Sequence, residues 1–187
     1  MCGRYYVDDE TERDIERLMK LMDGGQILER YGDIYPGQKA LAMTAEGLQT
    51  MSWGFHERGR MLINARCETV LERPTFSNHV RTNRCLLPAA GFYEWDPAKE
   101  KVTCTAQNGG TILLAGFYRM EEDGNHFIIL TTQANESMAR IHPRMPLILS
   151  EEEGSAWLMQ DGPFAALLGI TPPMVSTYRA YEQQSLL

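Results

Sequence analysis

Cys2 carries the most distinctive chemistry in the chain. It follows Met1 and is small enough for an aminopeptidase to remove the methionine, leaving an amine and a thiol on neighbouring carbons. An α-amine with a pKa of about 8 is partly neutral at physiological pH, unlike a lysine at about 10.4, so it can attack an aldehyde and form an imine. The adjacent thiol then closes on that imine to give a thiazolidine ring, which reverts only after the ring reopens. Neither serine nor lysine offers the second step. Most cysteines are inert, however, and Cys67, Cys85 and Cys104 sit in apolar or strand-like stretches that read as core.

Other residues have side chains suited to assist. Glu94, in the run GFYEW, is a carboxylate among aromatic and apolar neighbours, where desolvation suits a group that trades protons near neutrality. A strand-end glutamate facing solvent is an equally good reading. His142 precedes Pro143 in a sharp loop and could shuttle protons, although a lone histidine is more often structural. Asn64 and Arg66 alternate in INARCET, so on a strand they share a face, and an amide beside a guanidinium suits a sugar edge and a phosphate. Arg4 and Arg144 are further candidate phosphate ligands, while Trp53 and Trp95 are candidate stacking surfaces for unpaired bases. The ordinary alternatives are solvated arginines and core tryptophans.

Composition limits what can surround these groups. A chain of 187 residues, 43% hydrophobic with three Trp, eight Tyr and six Phe, fits one domain spanning 1–187 with a substantial core. The four cysteines lie far apart with neither CxxC nor metal-ligand spacing, so reduced thiols are expected, with no metal and no cofactor. No apolar run approaches the roughly 20 residues that cross a bilayer, and Met1-Cys2-Gly3-Arg4 lacks a signal peptide's apolar segment. A cytoplasmic location without membrane contact follows as the expectation. The net charge of −7 argues against bulk electrostatic binding to nucleic acid, so any DNA contact must be local. Arg4, Arg58, Arg60, Arg66, Arg81, Arg84, Arg140 and Arg144 remain available to line a basic groove.

The elements that must position these residues are mostly strands. Helical spacing over 11–22 predicts one amphipathic helix stopped by Asp23-Gly24-Gly25. From residue 40 onward, KALAMT, GLQTMSWGF, RMLINAR, RCLLPAAGFYEW, KVTCTAQ, TILLAGFYRM and NHFIILTT read as antiparallel strands between turn signals. Helices are expected at 134–140, at 151–159, where three glutamates favour an N-terminus, and near 163–168. Beyond Pro172-Pro173 the chain reads as irregular. The expected fold class is therefore α+β, a strand-rich, barrel-like antiparallel core with flanking helices.

In order, MCGR, SWGF, INARCET, RCLLPAAGFYEW and IHPRMPLIL resemble the SOS-response-associated peptidase (SRAP) family, the abasic-site processing proteins, across nearly the whole chain. The resemblance implies that Cys2 forms a thiazolidine crosslink with the ring-opened abasic sugar in single-stranded DNA, after autocatalytic removal of the preceding residue, in a monomer near the bacterial nucleoid. It implies that Asn64 holds the opened sugar, that Glu94 relays protons for the amine, and that His142 assists imine formation and reversal. Arg4, Arg66 and Arg144 match phosphate binders, Thr131 another contact to the DNA backbone, and Trp95 and Pro36 residues that pack on bases beside the lesion. After Trp53-Gly54 the chain departs from the family pattern, reading Phe55-His56-Glu57-Arg58. Two other readings stay open: a cysteine peptidase or amidohydrolase acting on other proteins, and a plain single-strand binder.

Overall fold

Apolar runs too continuous for half-exposed strands form the centre of the molecule. The computed structural model describes residues 2–20 and 32–179. In chain order the elements are β1 (Tyr5–Val7), α1 (Asp9–Lys20), β2 (Gly32–Ile34), β3 (Lys39–Thr44), β4 (Gly47–Trp53), β5 (Phe55–Glu57), β6 (Arg60–Leu62), β7 (Asn64–Arg66), α2 (Pro74–Thr82) and β8 (Arg84–Ala89). They continue as β9 (Gly91–Trp95), β10 (Lys101–Ala106), β11 (Ile112–Glu121), β12 (Gly124–Gln133), β13 (Arg144–Pro146), β14 (Ile148–Leu149), α3 (Glu151–Leu158), α4 (Phe164–Leu167) and β15 (Val175–Arg179).

The expected strand-rich core closes on itself. Strands β12, β4, β3, β8 and β11 are paired in sequence, and β11 pairs back onto β12, so the five make a closed ring. The ring is not wholly antiparallel, because β12 runs parallel to both β4 and β7. A second sheet, ordered β15-β10-β9-β1-β2, lies against it, and the hairpin β5–β6 stands apart. Ring strands are apolar on both faces, as in β8, where all six residues are buried. Cys85, Leu87, Leu114 and Ile129 join the second sheet's Tyr5, Phe92 and Val102 in one core, while Leu86, Leu113, Ile128 and Leu130 pack with Trp157 and Val80 in another.

The long apolar runs break where the backbone must turn. GLQTMSWGF divides at Gly54, whose φ of +121° suits glycine and where a Cβ would lie 2.6 Å from Met61 Cγ. RMLINAR divides at Ile63 and RCLLPAAGFYEW at Ala90. The first helix starts at Asp9, and Asp8 accepts from the Thr11 amide at 2.9 Å; the expected positions of Met22 and the Asp23-Gly24-Gly25 stop lie outside the described residues. In α3, Ser150 and Glu153 form a reciprocal capping box.

Three expectations are corrected. Residues 134–140 are turns, because the Asn135 carboxamide accepts from the Ser137 amide and hydroxyl while its nitrogen donates to the Pro172 and Pro173 carbonyls, and Pro143 soon follows. Those same bonds steer the chain beyond Pro173 into β15, which pairs with β10 along its whole length instead of being irregular. Arg84 does not reach a groove. It is 4% exposed, and its guanidinium donates to the carbonyls of Val80, Arg81, Trp157, Met159 and Gln160, closing the C-terminal ends of α2 and α3.

Candidate functional site

The site lies at the seam between the two sheets. Residues 2–4 extend β1 along β9: the Tyr93 amide donates to the Arg4 carbonyl at 2.9 Å, and carrying on the Tyr5–Phe92 register sets Gly3 opposite Glu94. From the ring side, Asn64 on β7 reaches across and donates from Nδ2 to the Cys2 carbonyl at 2.9 Å. The other end of that carboxamide, Oδ1, is buried and accepts no hydrogen bond among the described residues. Glu94 is 2% exposed, so it does not face solvent from a strand end.

Cys2 is fully buried, and Sγ approaches the Arg4 carbonyl oxygen at 3.8 Å. Burial, and after it the negative charge of Glu94, push its thiol far above the ordinary value. The same two causes push Cys104 up to about 12. Sulfur here is therefore held as a neutral thiol. Cys67, Cys85 and Cys104 are buried core residues, as expected.

Arg4 lies on the second sheet in an aromatic cage. Its guanidinium carbon is 5.0, 4.9 and 5.4 Å from the ring centres of Tyr35, Tyr93 and Trp95, and Nη1 donates to Asp33 and to the Tyr35 hydroxyl. Trp95 keeps 39% of its surface exposed, so one part stacks on Arg4 while the rest faces outward. Pro36 sits in the adjoining turn, where the Gln38 amide donates to the Tyr35 carbonyl and Gly37 takes a φ of +85°.

A second cluster follows β7 toward β13. Arg144 makes a bidentate pair with Glu68 at 2.6 and 3.0 Å and donates to the Thr131 carbonyl at 2.6 Å. The Arg144 hydrogen bonds hold the Glu68 carboxyl below its ordinary range, with Arg66 adding a smaller contribution of the same sign. Arg66 itself is exposed. His142 Nδ1 lies 3.0 Å from the Arg144 backbone nitrogen and 3.1 Å from its carbonyl oxygen, which fixes the ring against β13.

The structure thus brings Cys2, Asn64 and Glu94 together, joins Arg4 with Trp95 beside Pro36, and groups Arg66, Thr131, His142 and Arg144, with β7 linking the clusters. Two candidates are corrected. Trp53 is fully buried, stacks on Phe127 and donates from Nε1 to Ile63, so it offers no ring face to a base. The Thr131 side chain is also fully buried, its hydroxyl donating to the Ala65 carbonyl, so it supports Arg144 from behind. Asp33, Tyr35, Tyr93 and Glu68 were not anticipated. Glu68 stands inside INARCET, two residues after Arg66, which is its signal in the sequence; nothing local in the sequence ties Asp33 to an arginine 29 positions earlier.

The sequence pattern of the SOS response associated peptidase (SRAP) family matches residues 1–183. Abasic site processing protein YoqW of Bacillus subtilis is 32% identical over 180 residues, covering 84% of this chain and 80% of the relative. Abasic site processing protein YedK of Escherichia coli is 27% identical over 182 residues, covering 86% and 81%. Among solved structures, a Bacteroides thetaiotaomicron protein superimposes with a TM-score of 0.77 at 20% identity, covering 95% of this chain and 91% of its own. A phage-related protein of Bordetella bronchiseptica gives 0.77 at 25% identity, with 96% and 94% covered.

Proposed function

The chain belongs to the SOS response associated peptidase family, and from that premise we propose that it processes abasic sites in DNA, with Cys2 capturing the lesion covalently. The observation that carries the reading is the Asn64 carboxamide, anchored to the Cys2 carbonyl at one end and with a buried, unmatched acceptor at the other. A hydroxyl of an opened deoxyribose would satisfy that acceptor.

Once Met1 is removed, by autocatalysis or by an aminopeptidase, the Cys2 amine adds to the aldehyde carbon of the opened sugar. Water leaves and an imine forms. The thiol then adds across the carbon–nitrogen double bond: sulfur bonds to carbon, the S–H proton ends on nitrogen, and the thiazolidine is complete. Glu94, held beside Cys2, receives and returns protons during both steps. His142 assists formation and reversal of the imine. Because an imine acidifies the neighbouring carbon, the same intermediate opens a route to strand cleavage by β-elimination. Arg4, Arg66 and Arg144 would bind phosphates of single-stranded DNA, and Trp95 with Pro36 would pack on bases.

The neutral thiol supports this order of events, in which nitrogen attacks first. A cysteine peptidase acting on other proteins needs the thiol alone, whereas capture needs the amine as well, so blocking the α-amine separates the two.

The test is to incubate the processed protein with single-stranded DNA carrying one abasic site and resolve products on a denaturing gel. A heat-resistant slower band is expected, lost in Cys2→Ala and when the α-amine is blocked, and slowed in Asn64→Ala and Glu94→Ala. A band of undiminished intensity with Cys2→Ala would refute the reading.

A further inference from the structure

The departure at Phe55-His56-Glu57-Arg58 lies outside the Cys2 chemistry, yet it places His56 against two other potential metal ligands. His56, Glu121 and His126 each direct one donor atom into a region where all three atoms lie within 4.8 Å of one another. They come from three strands: β5 in the separate hairpin, and β11 and β12 in the ring. Glu121 Oε2 is 2.8 Å from His56 Nδ1 and 3.8 Å from His126 Nδ1. A tetrahedral ion with bonds of about 2.0–2.1 Å needs donors about 3.3 Å apart, a value between those two separations.

We propose that His56, Glu121 and His126 bind a divalent transition ion of the zinc class, which clips the β5–β6 hairpin to the barrel. The surroundings orient each ligand. Glu121 Oε1 accepts from Arg119 Nε at 2.9 Å and from the His56 backbone N–H at 3.0 Å, so the carboxylate is fixed with Oε2 as the oxygen toward the imidazoles. His126 has its Nε2 2.7 Å from Asp123 Oδ1, the carboxylate–histidine arrangement that fixes a ligating ring. Its Nδ1 lies 2.7 Å from the Gly54 carbonyl oxygen. That carbonyl oxygen stands beside the donor atoms as a fourth oxygen for the ion. Two imidazole nitrogens favour zinc-class ions over magnesium or calcium, which prefer all-oxygen shells.

The clip has a mechanical purpose. Strands β5 and β6 pair only with each other, and the hairpin is held to the barrel by the buried Phe55 ring against Phe117 and by bonds from β11 to the His56 backbone, with its far end exposed. An ion shared among His56, Glu121 and His126 would tie it to two ring strands at once.

To test this, the full chain is stripped with chelator, then titrated with Zn2+ by calorimetry and with Co2+ by visible absorption. One equivalent should bind. His56→Ala should weaken binding at least tenfold, and because His56 is exposed the variant should fold. Glu121→Gln should act alike, and Asp123→Asn should weaken binding about 10–100-fold through the ring it orients. Cys67→Ala should leave the Co2+ spectrum unchanged. No saturable binding, or binding equally tight in His56→Ala and Glu121→Gln, overturns the proposal and leaves the cluster as a hydrogen-bonded network. The outcome is independent of the Cys2 reaction, which no step here uses.

Discussion

Arg84 and Arg144 are both largely enclosed arginines, but different kinds of oxygen enclose them. Arg84 spends its donors on five backbone carbonyls at two helix ends. Of those carbonyls Met159's also accepts the Gly162 N–H, but all of them end or follow a helix, so the guanidinium is part of the fold. Arg144 is paired mainly with a carboxylate, Glu68, whose side chain is 40% exposed. On the proposed function, a DNA phosphodiester presents two oxygens and one negative charge as the carboxylate does, so it would replace Glu68 without unmaking an element. Arg4 with Asp33 repeats the second pattern. An arginine's role here follows from whether its partners can be exchanged.

Replacing Arg84 with methionine should give the largest effect on stability. The orphaned carbonyls should cost about 3–5 kcal/mol, a fall of roughly 10 °C in Tm, measured by calorimetry. Capture of abasic DNA per folded molecule should stay near wild type at low temperature; parallel loss would break the distinction. Arg144→Ala should behave oppositely, lowering affinity for single-stranded DNA about tenfold in fluorescence anisotropy. The slope of log K against log salt should shrink by about 0.7, one phosphate's worth, with Tm little changed.

Smaller effects sharpen the contrast. Glu68→Gln frees Arg144 from its internal competitor, and the same assay should report a severalfold gain in affinity. Acid titration should give the smallest effect. The Glu68 carboxyl is depressed in the folded protein, so its stabilisation is complete above the unfolded value of about 4.3 and disappears as pH falls through the folded one. Wild type should therefore lose its advantage over Glu68→Gln only in that acidic window, by under about 1 kcal/mol for so exposed a pair, read as Tm against pH.

Much of the fold was legible because ring strands buried on both faces leave long apolar runs, and because Glu151, Glu152 and Glu153 advertise a helix start. The breaks at Gly54, Ile63 and Ala90 were harder, since the runs continue through them. Helix α2 escaped notice because its apolar stripe is thin, Val80 being its one buried residue, although Pro74 at its first turn was a usable sign. Segment 134–140 misled because Asn135 diverts the backbone through side-chain bonds with residues near 172, a connection with no local trace. For the site, Cys2, Asn64 and Glu94 could be read from motif and chemistry. The burial of Trp53 and Thr131, and the carboxylates opposite Arg4 and Arg144, depend on pairings between distant strands.

The parallel pairing of β4 with β12 is the join that closes the ring, with Ser52 opposite His126. A growing chain reaches that join late. Until β12 has left the ribosome, β3, β4 and β8 expose an unsatisfied edge to other polypeptides, and loop-closure entropy opposes every earlier attempt to seal it. Assembly should therefore be slow and nearly all-or-none, and fragments ending before residue 124 should aggregate instead of folding in part.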